Sequence, residues 1–254
     1  MTSRRIREAF NSGETLVFGH RGAMAQAPMN TLAAFELARA EGADGIELDL
    51  RLSRDGHLVV IHDELVDATT DGFGSVADLT LAEIKRLDAG SWFSDSFAGE
   101  PIPTLDEVFE AFGSDLFINI EIKSSQDSLD RMERQLAQCI RRHNMRERII
   151  VSCFDPVVLQ RLRGLMPMVM MGFLYQPDMP AEHYLPLKKL WHEARHPRHD
   201  MVDQGYMNWA RAQGYIVNVW TVNDPQRAIA LRDLGVNAIM TDEPGLIIGA
   251  LKPC

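Results

Sequence analysis

The chain has 254 residues, 46% apolar and 24% charged, which suits a soluble globular fold with a full core rather than a disordered or fibrous chain. Its net charge of −10 argues against a general nucleic-acid binder, because neutralising phosphates needs an excess of Lys and Arg. The first 13 residues lack a signal-like apolar stretch, no run reaches the ~20 apolar residues of a membrane span, and three scattered cysteines form no CxxC or disulfide framework; a reducing cytoplasm is expected.

Short apolar runs alternate with helical patterns, as in repeated βα units. Strands are predicted near Val17–Gly19, Gly45–Leu50, Leu116–Ile122, Ile149–Cys153, Val169–Leu174, Ile216–Thr221 and Ala238–Thr241. The spacing demands an eighth within Lys189–His196, where the pattern is faint. Helices are expected over 31–42, 104–113, 125–145 and 224–235, with Thr31, Thr104 and Asp224 as N-caps and Gly42, Gly113 and Gly235 as stops. Eight strands, each trailed by a helix, in about 250 residues predict an α/β fold of the TIM (β/α)8 barrel type, one domain over residues 1–254.

The repeat breaks after Leu50, where "RLSRDGHLVVIHD" runs on before any helix. A parallel partner would need a crossover of a dozen or more residues, so this link must reverse direction. Asp55-Gly56 is a two-residue hairpin signal. It sets Arg54 opposite His57, Leu52 opposite Val59 and Asp49 opposite His62. Opposed residues share a face, so Glu47, Asp49 and His62 are expected on one side of the sheet. Residues 55–103 then form a small insertion, with a helix expected over 80–90.

In a barrel, chemistry gathers at the C-terminal ends of the strands. The first strand ends in His20-Arg21, the second carries Glu47 and Asp49, and the third ends with Glu121 and Lys123. Alternation sends Ile46, Leu48, Ile120 and Ile122 to the opposite side from these charges. Acids crowded in a lumen must share protons or hold a cation. Three carboxylates without a Cys or His cluster favour a hard divalent ion, Mg²⁺ or Ca²⁺, over zinc. Arg21 and Lys123 supply fixed positive charge suited to phosphate oxygens. His20 and His62 supply a general acid and a general base near neutral pH. Asp63 reads as an orienting group for His62 or a turn cap, ahead of a metal ligand. The assembly describes phosphoryl transfer or phosphodiester cleavage.

In this order the chain also carries "GHRG", "PMNT", "ELDLRLSRDGHLVVIHD", "IPTLDEVF", "NIEIK", "SCFDP", "VNVWTVND" and "MTDEP". In these motifs, over roughly residues 15–250, it resembles the glycerophosphodiester phosphodiesterase family. The resemblance implies a TIM barrel with an insertion after the second strand. It also implies hydrolysis of glycerophosphodiesters to glycerol 3-phosphate and an alcohol. A divalent cation, Mg²⁺ or Ca²⁺ with Mn²⁺ as a third option, then falls to Glu47, Asp49 and Glu121. His20 and His62 become the acid–base pair, Arg21 and Lys123 the phosphate contacts, and Trp220 part of the substrate pocket. Asn30 is placed with the substrate contacts, the start of the 31–42 helix being its alternative role. Two departures concern the substrate: Met29 stands where the family usually has Glu, and Ala68 where it usually has Arg. The expected partner is a small glycerophosphodiester, with no nucleic acid and no stable membrane insertion; the oligomeric state stays open. The other readings kept open are a lysophospholipase D-like or cyclic-phosphate-forming enzyme, and a non-catalytic glycerophosphodiester-binding barrel.

Overall fold

The structure, a computed structural model, describes residues 5–123, 131–180, 187 and 190–252. A short helix, α1 (Ile6–Phe10), precedes β1 (Leu16–His20). Then come α2 (Leu32–Ala40), β2 (Gly45–Leu52), β3 (Leu58–Val60), α3 (Leu81–Ile84), α4 (Leu105–Phe112) and β4 (Phe117–Ile122). The second half alternates α5 (Arg131–Arg142), β5 (Ile149–Cys153), α6 (Pro156–Leu165), β6 (Met170–Tyr175), β7 (Ala194–Pro197) and α7 (Gln204–Gln213). It closes with β8 (Ile216–Val219), α8 (Pro225–Leu234), β9 (Ala238–Thr241) and α9 (Pro244–Leu251). Eight of these strands pair in parallel in the order β1-β9-β8-β7-β6-β5-β4-β2, and β2 returns to β1, which closes a TIM barrel.

Strand alternation sorts the core into an outer and an inner part. Ile46, Leu48, Leu50, Ile118, Ile120 and Ile122 pack toward the helices. Inside, Leu16, Phe18, Phe117, Ile150 and Met170 fill the lower lumen against Ile6 and Phe10 of α1. That helix was not foreseen in the sequence, and Phe10 stacks on Phe18 with centroids 6.2 Å apart. Thr31 and Thr104 cap α2 and α4 as expected, and Asp224 accepts two amides at the start of α8. Gly235 ends α8 in the left-handed conformation at φ 83°.

Three expectations change. The eighth strand lies at Ala194–Pro197, the far end of its predicted window, whose first residue, Lys189, is outside the described residues. The helix expected over 125–145 is α5, and residues 125–130 likewise lie outside the described residues. The helix expected over 80–90 is the single turn of α3, capped by Thr80. Beyond it the Asp88 carboxylate accepts the amides of Gly90, Ser91 and Gly99, a turn arrangement that a helix cannot offer.

The hairpin also differs, by one residue. Leu52 pairs with Leu58, Arg51 with Val59 and Leu50 with Val60. Arg54, Asp55 and Gly56 form a three-residue loop, closed by the Ser53 amide on the His57 carbonyl at 2.9 Å. Gly56 takes φ 91°, the left-handed position that such loops need. Ser53 Oγ fixes the loop by bonding Asp55 Oδ1 at 2.7 Å and accepting the His57 amide at 2.9 Å. Asp49 is therefore not opposite His62 in the ladder. In this register a continued strand would turn His62 to the helix side, with Leu48. The strand stops at Val60 instead, and the chain bends. The following segment, to residue 103, winds through 3-10 turns at Val66–Ala68, Val76–Asp78 and Asp95–Phe97. It packs Val66, Val76, Ile84 and Ile102 on Val59 and Ile61.

Candidate active site

At the C-terminal ends of the strands lies a cavity of about 230 Å³ lined by His20, Arg21, Glu47, His62, Glu121, Lys123 and Trp220. Seven of the nine residues singled out from sequence thus meet on one wall. Asp49 lies just beneath, its side chain 1% exposed and covered by two cations. The ninth, Asn30, sits behind Asp49 and not on this cavity wall. Its Nδ2 donates to Asp49 Oδ2 at 2.8 Å and its Oδ1 accepts the Asp49 amide at 3.2 Å. Asn30 thus clamps a carboxylate, and the cap of α2 belongs to Thr31.

Local backbone at the end of β1 aims Arg21. Arg21 itself takes φ 54° and Gly22 φ 86°, so two successive residues are left-handed. A Cβ at Gly22 would lie 2.5 Å from the Ala34 carbonyl carbon, so only glycine fits. This turn points the Arg21 amide at Glu47 Oε2 (3.1 Å) and the guanidinium Nε at Asp49 Oδ2 (3.0 Å). Arg21 Nη1 touches the Met29 sulfur at 3.4 Å, so a thioether faces the cation where the family pattern has a carboxylate.

Electrostatics divide the three acids. The ligand-type oxygens of Glu47, Asp49 and Glu121 lie within 4.8 Å of one another, and all three residues are buried. Burial and then the neighbouring carboxylates push Glu47 well above the usual range. Burial, followed by Asp49, pushes Glu121 up to about 7 despite its bond from Lys123. Burial disfavours the Asp49 charge too, but Lys123 and Arg21 together outweigh it and hold this carboxyl below its ordinary value. Lys123 Nζ lies 2.9 Å from Asp49 Oδ1, yet that buried oxygen lacks a hydrogen bond of good geometry. Three converging buried carboxylates, two of them reluctant to ionise, and an under-coordinated oxygen are the donor set a hard divalent ion requires. These residues fit one.

Both histidines are held through Nδ1. His20 Nδ1 meets Asp242 Oδ1 at 2.6 Å, and His62 Nδ1 meets Asp63 Oδ1 at 2.7 Å. Asp63 is thus the orienting group its position suggested. Asp242 and its support were missed. Asn223 Nδ2 donates to Asp242 Oδ2 at 2.6 Å, while Asn223 Oδ1 accepts the Asp242 amide and the Thr241 hydroxyl. The available signal was "TDEP" at a strand end, adjacent to β1 only once the barrel closes. Burial, reinforced by Lys123 and Arg21 against the pull of Asp49, lowers the pKa of His62 below the usual histidine value. Trp220 donates Nε1 to the His196 carbonyl at 2.8 Å and meets Phe154 edge to face, fixing it as cavity wall.

A second group of ligand types, Asp106, Cys139 and His143, lies outside the cavity between α4 and α5. There Arg142 Nε already reaches Asp106 Oδ1 at 3.2 Å, so the cluster is an ionic tie between helices. No helix of the described residues is long and apolar enough to cross a membrane.

Comparison with known proteins agrees with this fold. Residues 20–246 match the model of the glycerophosphoryl diester phosphodiesterase family. A glycerophosphodiester phosphodiesterase of Caldanaerobacter subterraneus is 41% identical over 240 residues, covering 94% of this chain and 98% of the relative. One from Bacillus subtilis is 33% identical over 258 residues, covering 91% and 84%. Among solved structures, an Oleispira antarctica phosphodiesterase in complex with the product sn-glycerol-3-phosphate superposes with a TM-score of 0.86. It shares 31% identity and covers 95% of this chain and 98% of its own. A barrel with acids, cations and paired histidines at its mouth, matched along nearly its whole length, identifies the chain as a member of the glycerophosphoryl diester phosphodiesterase family, a class of enzymes.

Proposed function

We propose that this cavity hydrolyses glycerophosphodiesters to glycerol 3-phosphate and an alcohol, with His20 and His62 as the proton-transfer pair. The observation that carries the reading is the pair of Asp-held imidazoles, on β1 and on the hairpin return, lining one cavity with Arg21 and Lys123. The product held by the Oleispira relative supports the same substrate class.

Arg21 and Lys123 bind phosphoryl oxygens and stabilise the charge that grows on them. Asp242 and Asp63 fix each ring through Nδ1, leaving Nε2 for proton exchange with substrate atoms. The lowered pKa of His62 keeps it neutral near pH 7, which suits the base. His20, held at Nδ1 by Asp242, is then the acid that protonates the departing alcohol. Glu47, Asp49 and Glu121 would hold one divalent cation, Mg²⁺ or Ca²⁺, with Mn²⁺ as a further option. When bound, such an ion supplies Lewis acidity and orients the phosphate. The chain acts as one catalytic unit, residues 55–103 forming an insertion, and the free cysteines among the described residues, Cys139 and Cys153, suit a reducing cytoplasm.

The test is glycerol 3-phosphate release from glycerophosphocholine, with and without EDTA, by wild type, His20→Ala and His62→Ala. Each substitution should lower kcat by about 10²-fold or more without loss of fold. Near wild-type turnover in either variant removes that histidine from the mechanism. A cyclic phosphate product, or lysophospholipids as better substrates, would replace the reading.

A further inference from the structure

The hairpin register raises a problem that the active site has to solve. Val60 opposite Leu50, and Leu58 opposite Leu52, put the even-numbered residues of the return strand on the helix side of the sheet. By that alternation His62 would follow Val60 outward. It lines the cavity instead, with Glu47 and Glu121. The backbone therefore rotates within two residues, between Val60 and His62, and something must hold it rotated.

Two bonds from β2 do so. Asp49 O accepts the Ile61 amide at 3.0 Å, the last rung before the bend. The next contact is a side chain: Arg51 Nε donates to the His62 carbonyl at 2.9 Å. Arg51 stands two residues beyond Asp49 on the lumen-facing side of β2, where its half-buried guanidinium reaches across the bend. Without this donor the His62 carbonyl loses its side-chain tether to the barrel wall.

We propose that Arg51 is a positioning residue for His62, acting through its Nε–H rather than through its charge. The inference rests on the acid–base reading of His62 given above. It touches neither the phosphate nor the acids directly in this role. It fixes the peptide from which the imidazole projects.

Glutamine separates the two attributes, because its Nε2 occupies the same point along the side chain as arginine Nε. Arg51→Gln keeps a donor there and discards the charge. Arg51→Met discards both, and Arg51→Lys keeps the charge with its donor one bond farther out. The charge-independent part of such a bond, the part that glutamine would keep, contributes about one power of ten at most. Arg51→Met and Arg51→Lys should therefore lose roughly tenfold in kcat on glycerophosphocholine with KM little changed. Arg51→Gln should stay within about threefold of wild type. On a His62→Ala background, Arg51→Met should add nothing, since the group it positions is gone. Thermal unfolding of each variant guards against general loss of fold, and the lysine variant serves if the methionine one does not fold. The inference is overturned if Arg51→Lys matches wild type. It is equally overturned if Arg51→Gln is as impaired as Arg51→Met, or if the two losses multiply on the His62→Ala background. Wild-type activity of His62→Ala alone would instead sink the functional reading.

Discussion

Asp242→Asn is the sharpest probe of the site, because the structure dictates which way the new amide must turn. Asn223 has its Oδ1 committed to the Asp242 amide and the Thr241 hydroxyl, so its Nδ2 faces the far oxygen of residue 242. An introduced amide would direct its oxygen to Asn223 and its NH2 to His20. Two donors cannot face each other, so His20 Nδ1 must become the acceptor and the proton moves to Nε2. His20 then loses its hydrogen bond to a carboxylate. A hydrogen bond to a charged group contributes about 1.5–3 kcal/mol. At 1.36 kcal/mol per power of ten, kcat should fall roughly 10- to 150-fold. The assay is coupled detection of glycerol 3-phosphate under saturating glycerophosphocholine, with unfolding temperature as the control. On a His20→Ala background the same substitution should have little further effect. A folded Asp242→Asn enzyme within threefold of wild type would refute the reasoning.

Three further outcomes are expected. Glu47→Gln, Asp49→Asn and Glu121→Gln should each weaken Mg²⁺ or Ca²⁺ binding by about tenfold or more in calorimetry without substrate. Unchanged affinity in all three would exclude the triad as the cation site. His196 is buried, and burial pushes its pKa down to about 3, so the unfolded chain takes up its proton first as pH falls below about 6.5. Stability should thus drop by about 1.4 kcal/mol per pH unit from this residue. His196→Gln should flatten the fall of the urea midpoint between pH 6.5 and 4.5, and a parallel slope would contradict the assignment. Gly22→Ala forces a Cβ to 2.5 Å from backbone at a left-handed φ of 86°, so it should destabilise the fold by about 1–3 kcal/mol. An unaltered unfolding temperature would show that the turn can relax.

Much of the site was legible because strand alternation is local. Glu47 and Asp49, or Glu121 and Lys123, stand two apart, so each pair shares a face whatever the rest of the chain does. Their isoleucine and leucine neighbours named the opposite face, and the helix-side cluster is built from those same residues. The caps at Thr31, Thr104 and Asp224 were readable for the same reason, since a side chain bonding an amide two or three residues on depends on local sequence.

What escaped was set by contacts between distant segments. The helix at Ile6–Phe10 has too few residues to announce itself and owes its place to the lower lumen it seals. The one-residue hairpin error followed from reading Asp55-Gly56 alone, whereas Ser53 Oγ selects the longer loop. The tertiary bend then restored His62 to the cavity that the register would have denied it.

From its residues alone the chain determines an eightfold strand–helix alternation, the side of each strand that bears charge, and the set of acids, cations and imidazoles. Those follow from a period of two along a strand, which needs no partner to be read. Tertiary packing alone decides that Asp242, just past β9, meets His20 on β1, that Asn30 grips Asp49, and that Glu47 and Glu121 resist ionisation. The reason is that such properties depend on distance and burial between segments as many as 222 positions apart, and no local pattern encodes them.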